Sequence, residues 1–276
     1  MKANDALNKM MEWMTAVGKT HKTAENTWRA VAHFLENMEL VDEDTANIDE
    51  IILNDYINNN KKQTTVSTRR FKLSAIRTFF NFCVAKGWMV GNPATLVKVD
   101  IRKVPHRMRQ AKKKEAFTPE EVKYITANTE GFWRAAILIA VETGLRIGDI
   151  VQLEWDCFSL THMEVWTDKK DKKVKLKMSP KLRKVIMGIP KEDDEFLFPD
   201  ERLRYLLPEQ GGRGTRTWFA TTFKRMMERF GIEGKTFHCL RVTHASSRKD
   251  KGEDIEQIAK DLAHSSSKTT TKHYIT

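Results

Sequence analysis

Residues 135–153 read AAILIAVETGLRIGDIVQL and contain a sharp change of pattern. An apolar run over 135–141 leads into Thr143-Gly144, and Arg146 then opens a new helix-like segment. A guanidinium group is planar, permanently charged and matched to two phosphate oxygens. Asp149 follows three residues later, so on a helix it would share a face with Arg146 and could orient it. Such a pair is more often a surface ion pair, and its interpretation depends on the residues downstream.

Length and composition limit the possible functions. The chain has 276 residues, enough for two domains, and 40% of them are apolar, enough for substantial cores. A net charge of +11 indicates a polyanionic partner, and nucleic acid fits better than a membrane because no long apolar run is present. The amino terminus has no signal-peptide pattern, so we expect a cytoplasmic, nucleoid-associated protein. Three widely spaced cysteines predict reduced thiols and no zinc site.

The first hundred residues predict an all-helical domain. Apolar residues recur at helical spacing in four segments, with Gly18 and Gly87 as stops. A polar stripe beside the fourth segment is either a solvated face or a surface that follows DNA phosphates. The candidate DNA contacts are basic residues of this segment and of the basic run that follows: Arg69, Arg70, Lys72, Arg77, Arg107, Arg109, Lys112 and Lys113.

A second domain is predicted after a basic linker. We place the boundaries at 1–101 for the helical domain, 102–115 for the linker and 116–276 for the second domain. Thr118, Pro119 and Glu121 have the pattern of a capping box with a proline start, and Ser179-Pro180 predicts the capped start of another helix. Alternating residues in 163–166 and 174–178 predict a β-hairpin with a charged tip. The fold class is therefore mainly α with a small antiparallel β-sheet.

A set of polar residues near the carboxyl terminus suggests chemistry. His238 and Arg241 are three residues apart, so on a helix they share a face. With Arg146 they would supply cationic donors for a phosphoryl-transfer transition state. Tyr274 lies in a polar tail and is a candidate nucleophile, whereas the other three tyrosines lie in patterns that look structural.

The ordered motifs TGLR-x-x-D, H-x-x-R, A-H and Tyr274 resemble those of the tyrosine recombinase (phage integrase) family. The resemblance covers nearly the whole chain, with a helical core-binding domain followed by a catalytic domain. It implies a C-shaped clamp around duplex DNA, a 3′-phosphotyrosyl intermediate, and strand exchange through a Holliday junction in a homotetramer. It also implies that the reaction needs no metal, no cofactor and no ATP. The free protein is expected to be a monomer, with accessory DNA-bending or directionality proteins as further partners.

The resemblance also implies a role for each matching residue. Arg146 and Arg241 would clamp the scissile phosphate, and Asp149 would support the active site. His238 and His264 match the two family histidines. Tyr274 matches the nucleophile, and Lys169 in the hairpin tip matches the general-acid lysine. Lys170 is its close rival, because the lysine run makes the register ambiguous.

The sequence departs from the family pattern at a few positions. Val242 stands where a basic residue is common, and Ala263 replaces the usual glycine before His264. The sequence ends two residues after Tyr274, whereas many relatives continue into a segment that docks on a neighbour. We therefore expect either a truncated chain or exchange of the tyrosine helix itself. Two alternative functions stay open, namely a catalytically silent DNA-binding protein and a type IB-like topoisomerase.

Overall fold

The structure is a computed structural model that describes residues 1–59, 64–109, 114–167, 172–206 and 215–262. The chain forms two compact units, Met1–Lys112 and Lys113–Thr276. The described residues are mostly helical with one two-stranded antiparallel sheet, which confirms the predicted fold class. Within this described part, no helix is long and apolar enough to cross a membrane.

The amino-terminal unit is a cluster of helices around an aromatic and aliphatic core. Side-chain caps begin three of its helices, at Thr20, Asp49 and Thr65, where each accepts a backbone N–H of the first turn. Phe34, Phe79 and Phe80 are fully buried between the helices. The helices are α1 (Ala3–Ala16), α2 (His21–Asn37), α3 (Glu50–Asn58), α4 (Val66–Ala85) and α5 (His106–Arg109).

Residues 102–109, the first part of the predicted linker, are folded against this unit. Val104 is buried, and Asn58 holds the preceding turn by accepting the Asp100 backbone N–H at 2.8 Å. The Arg109 Nε donates to the Val104 carbonyl at 2.8 Å. The basic composition of this segment therefore coexists with a defined local structure.

The carboxyl-terminal unit alternates helices with one hairpin. Its predicted capping box is confirmed: Thr118 and Glu121 exchange hydrogen bonds with each other's backbone N–H. Ser179 caps another helix as predicted and accepts from the Leu182 N–H. The elements are α6 (Pro119–Ala127), α7 (Gly131–Thr143), α8 (Ile147–Ile150), β1 (His162–Thr167), β2 (Lys172–Lys177), α9 (Pro180–Met187), α10 (Pro199–Leu206), α11 (Thr215–Arg229), α12 (Phe237–Asp250) and α13 (Ile255–Asp261).

The hairpin has the alternation that the sequence predicts. Met163 pairs with Leu176 and Val165 pairs with Val174, and all four side chains are buried in the core. Their neighbours, such as Trp166, Lys173 and Lys175, are exposed on the other face. The hairpin tip, residues 168–171, lies outside the described residues.

Helix α7 is the centre of the carboxyl-terminal core. Residues 135–140 are almost completely buried, so the helix is apolar on all sides rather than amphipathic. Gly144 ends it with a left-handed φ of 70°, a conformation that glycine adopts without a steric penalty. The chain then turns at once into α8, which places Arg146 and Asp149 beside the core.

Candidate active site

The turn at 143–149 fixes the first arginine. Arg146 is the N-cap residue of α8, and its backbone N–H donates to an Asp149 carboxylate oxygen at 3.2 Å. The same oxygen lies 3.7 Å from the Arg146 guanidinium. Asp149 is buried, whereas the Arg146 side chain is 27% exposed. The buried carboxylate therefore aims an arginine that solvent can still reach, as the i, i+3 spacing predicts.

The second arginine lies on helix α12 and is buried. One terminal nitrogen of Arg241 donates to the carbonyl of Gly144, and the other donates to the carbonyl of Leu262. These carbonyls belong to the residues that end α7 and α13, where backbone acceptors lack intrahelical partners. A cation is favourable at such helix ends. Arg241 therefore joins α12 to the turn that carries Arg146.

The first turn of α12 also carries His238. This side chain is half-buried, three residues before Arg241 and on the same helical face. Cys239 beneath it is buried, and its sulfur accepts the Thr236 N–H at 3.3 Å. Cys239 therefore contributes to the core and to the cap of α12.

The approach to this helix is held by a second pair of contacts. Lys235, just before α12, forms an ion pair with Glu121 of the α6 capping box. Its ammonium also lies 5.0 Å from the centre of the Phe117 ring. The Phe117 N–H donates to the Thr243 hydroxyl at 2.8 Å. These contacts tie Phe117 and Glu121, at the start of the carboxyl-terminal unit, to Lys235 just before α12 and to Thr243 in its second turn.

Gly144 is required by crowding as well as by its backbone angle. A β-carbon at this position would lie 2.5 Å from Leu262 Cδ2 and 2.9 Å from His244 Cδ2. Gly148 has a similar constraint, because a β-carbon there would lie 2.3 Å from the Tyr205 hydroxyl. Both glycines of the stretch TGLRIG thus allow side chains from distant helices to approach the turn that carries Arg146.

His244 is a buried histidine that the sequence analysis assigned no role. It is 8% exposed, and its Nδ1 donates to the Val141 carbonyl at 3.0 Å. Burial lowers its pKa to about 4, and the charges of Arg248 and Arg241 act in the same direction. The neutral ring therefore packs against Gly144 at ordinary pH. Its position three residues after Arg241 was the available sequence signal.

Several predicted site residues lie outside the described residues. They are the proposed nucleophile, the second histidine, the two candidate lysines of the hairpin tip and two linker lysines: Tyr274, His264, Lys169, Lys170, Lys112 and Lys113. The structure brings together Arg146, Asp149 and the helix that bears His238 and Arg241. The roles of all these residues stay predictions.

The candidate DNA contacts in the amino-terminal unit divide into two groups. Arg69 is 4% exposed, and its guanidinium donates to the carbonyls of Ile57, Asn58 and Lys103, the first two at 3.0 and 3.1 Å. The prediction that Arg69 contacts DNA is therefore wrong. Its buried side chain instead binds the last two carbonyls of α3 and the carbonyl of Lys103. Arg77 is half-buried and donates to the carbonyls of Ala94 and Val97.

The other candidates are more accessible. Arg70 and Arg107 are exposed, and Arg109 is exposed although it donates to two backbone carbonyls. Lys72 is half-buried, with its ammonium 5.1 Å from the centre of the Tyr56 ring. These four residues form the remaining candidate DNA surface of this unit.

Comparison with known proteins agrees with this geometry. Residues 115–276 match the model of the phage integrase family. A XerC-like tyrosine recombinase of Caldanaerobacter subterraneus is 24% identical over 88% of this chain and 71% of its own.

Two solved structures share the fold. A lambda integrase dimer bound to a COC′ core site is 18% identical, covers 97% of this chain and 93% of its own, and has a TM-score of 0.75. A lambda integrase tetramer bound to a Holliday junction is also 18% identical, covers 95% of this chain and 77% of its own, and has a TM-score of 0.68. The chain therefore belongs to the phage integrase family, the tyrosine recombinases, which are enzymes that cleave and rejoin DNA.

Proposed function

We propose that this protein recombines DNA at specific sites and that Tyr274 is its nucleophile. The observation that carries the proposal is the hydrogen bond from Arg241 to the Gly144 carbonyl, two residues before Arg146. This bond ties the two arginine-bearing segments to one turn, as a two-guanidinium phosphate clamp requires. Arg146 keeps 27% of its side chain exposed on the same turn, which a residue with only a structural role would not need.

The proposed chemistry is a transfer of the phosphoryl group from a sugar oxygen to a tyrosine and back. The Tyr274 hydroxyl releases its proton to solvent as its oxygen attacks phosphorus; a 3′-phosphotyrosyl bond forms and the bond to the 5′ oxygen breaks. The departing oxygen takes a proton from Lys169, with Lys170 as the alternative donor. Arg146, Arg241, His238 and His264 stabilise the negative charge on the phosphate oxygens in the transition state. The new ester keeps the energy of the broken one, so rejoining needs no ATP.

We expect DNA to contact residues of both units. The net charge of +11 supports a large phosphate-contact surface. On the amino-terminal unit we assign this surface to Arg70, Lys72, Arg107 and Arg109, with Lys112 and Lys113 following in the sequence. Arg69 is left out because it is buried, and Arg77 because it is half-buried with its guanidinium bound to backbone carbonyls of its own unit. Arg109 also binds two carbonyls but is exposed.

The proposed assembly is a homotetramer on two paired DNA sites, formed from monomers that bind separately. The lambda integrase tetramer on a Holliday junction supports this by similarity of fold. We favour integration or excision of a mobile element, with accessory DNA-bending or directionality proteins. The XerC-named relatives favour a second context, recombination at a chromosomal site. Either context places the protein on DNA in the bacterial cytoplasm.

The first test is covalent trapping on DNA of unknown target sequence. The full chain is incubated in EDTA with a random-sequence duplex library that also contains the ends of the encoding element, and the reaction is stopped with SDS. We expect a protein–DNA adduct whose digestion maps to Tyr274 and whose DNA converges on one sequence. Tyr274→Phe should abolish the adduct and keep DNA affinity. Tyr124→Phe is the matched control, because Tyr124 is 49% exposed and its ring contact with Phe230 does not need the hydroxyl.

Other outcomes would select other functions. DNA binding without any adduct would favour a catalytically silent binding protein. An adduct with no sequence preference, together with relaxation of any supercoiled plasmid, would favour a topoisomerase. An adduct at another tyrosine would overturn the assignment of Tyr274.

A further inference from the structure

Helix α12 contacts the end of α13 at two points. Arg241 donates to the carbonyl of Leu262, the residue that ends α13. Arg248, seven residues later on α12, donates to the Asp261 carboxylate at 2.7 Å. Seven residues are close to two helical turns, so both arginines leave the same face of α12. Consecutive residues at the end of α13 are therefore held by two arginines of one helix.

Asp261 is held by more than this ion pair. Its second carboxylate oxygen accepts from the Gln257 side-chain amide at 2.7 Å. Arg248 is in turn held by Glu253, which accepts from its Nε at 2.8 Å and from a terminal nitrogen at 2.6 Å. The Arg248 side chain is only 17% exposed, so these contacts lose less to solvent screening than a surface pair. The last turn of α13 is thus fixed in direction as well as in place.

Leu262 transmits this fixation to Arg241 in two ways. Its carbonyl accepts from one terminal nitrogen of the guanidinium. Its buried side chain packs on Gly144, whose carbonyl accepts from the other terminal nitrogen. Both acceptors that set the plane of the Arg241 guanidinium therefore depend on the position of Leu262.

We propose that Arg248 and Asp261 are positioning residues for Arg241 and act through Leu262. This inference depends on the proposed role of Arg241 as a phosphate-binding arginine. A shift of Leu262 rotates the Arg241 guanidinium. Because this group stabilises the transition state in only one orientation, the rotation slows the chemical step and leaves DNA binding unchanged. A simple structural ion pair would instead affect stability and DNA affinity in proportion.

The test is a double-mutant cycle between Asp261→Asn and Arg241→Lys. The Asp261→Asn change removes one acceptor and presents an amide to either Arg248 or Gln257, both of which donate. The measured quantity is the single-turnover rate of adduct formation at saturating protein, on the site selected by trapping. We expect about a tenfold loss from Asp261→Asn with Arg241 present and less than about twofold with Arg241→Lys, because the effect passes through Arg241.

Glu256→Gln is the matched control. It makes the same carboxylate-to-amide change on α13, but Glu256 is exposed in the first turn of that helix, away from the contacts of Arg248 with Asp261. We expect less than about a twofold change in rate from it. Unchanged DNA affinity and melting temperature in Asp261→Asn would exclude general misfolding.

The outcomes separate this inference from the proposed function. Equal losses in both Arg241 backgrounds, or equal losses from Asp261→Asn and Glu256→Gln, would overturn the positioning role alone. An unchanged rate in Asp261→Asn would also overturn it. Absence of any adduct from the unmodified protein would overturn the proposed function and this inference together.

Discussion

Arg69 and Arg241 are two buried arginines, one in each unit, that bind their surroundings in the same way. Arg69 is 4% exposed and Arg241 is 3% exposed. Each donates to carbonyls at the ends of two separate backbone segments, α3 and the 101–103 turn in one case, α7 and α13 in the other. In both units a buried arginine donates to backbone carbonyls at helix ends, which have no hydrogen-bond partner within their own helix.

The neighbours of these arginines differ. The segments that Arg69 joins, at 57–58 and 103, carry none of the candidate catalytic residues, and its neighbour in the sequence, Arg70, is exposed. Gly144, whose carbonyl Arg241 binds, leads directly into Arg146 and Asp149, and Arg241 shares its own helix with His238. Burial and carbonyl bonds therefore do not by themselves distinguish a structural arginine from one proposed to be catalytic. The residues on the segments that the guanidinium connects make the distinction.

The largest effect should come from Arg241→Lys. An ammonium cannot donate to two carbonyls and a phosphate in one plane, so we expect a loss of roughly 10²–10³-fold in the rate of adduct formation. The rate is measured in single turnover, with DNA affinity measured in parallel on uncut sites. A loss of stability with an unchanged rate would place Arg241 with Arg69 as a structural residue.

Arg69→Met should have the opposite profile. It leaves three carbonyls without their donor, so we expect the free energy of unfolding of the amino-terminal unit to fall by roughly 3 kcal/mol. Hydrogen exchange followed by mass spectrometry should report the change in peptides from 50–59 and 66–85, with those from 131–143 unaffected. The single-turnover rate at saturating protein should stay within about twofold of the unmodified protein. A large loss of rate would show that Arg69 is not purely structural.

The pH dependence of stability reports on His244, which packs beside Gly144, the residue whose carbonyl Arg241 binds. The pKa of His244 in the folded state is about 4, below the ordinary value of 6.5, so the unfolded chain binds more protons between these two pH values. Stability therefore falls as pH drops from about 6.5 towards 4, by roughly 1.4 kcal/mol per pH unit from this group.

Chemical denaturation of His244→Phe at several pH values tests this prediction. The phenyl ring keeps the packing against Gly144 and loses the hydrogen bond to Val141, so stability at pH 7 should fall by about 1 kcal/mol. The dependence on pH between 4 and 6.5 should flatten in the carboxyl-terminal unit. An unchanged slope would mean that His244 is not the titrating group.

The smallest effect should come from Arg70→Ala. Arg70 follows the structural Arg69 directly but is exposed on α4. Its loss should weaken DNA binding a few-fold and reduce the slope of log affinity against log salt by about 1, with no change in stability. Titrations at three or more salt concentrations measure both quantities. An unchanged salt slope would remove Arg70 from the DNA surface.

The sequence predicted local structure well where a cap or a period defines it. The Thr118 capping box, the Ser179 cap and the alternation of the hairpin are determined by residues close in sequence. It also predicted the pairing of Arg146 with Asp149, since three residues on a helix suffice for that. The family motifs then gave the class of enzyme.

Contacts between distant segments were beyond the sequence. Arg69 and Arg70 are the same residue type in one basic stretch, and only the packing of α4 against 57–58 and 103 decides which one is buried. Leu262 and His244 likewise acquire their places from the crowding at Gly144. Periodicity identifies a helical face, but it does not identify the segment that the face meets.

The crowding at Gly144 has an evolutionary consequence. Any larger residue at this position meets Leu262 and His244 at once, so no single substitution at 144 is accessible while both neighbours keep their size. Positions 144, 244 and 262 should therefore show strong epistasis, although they are separated by up to 118 residues in the sequence. Exchange of segments between distant relatives by gene shuffling would succeed only when all three positions come from the same parent.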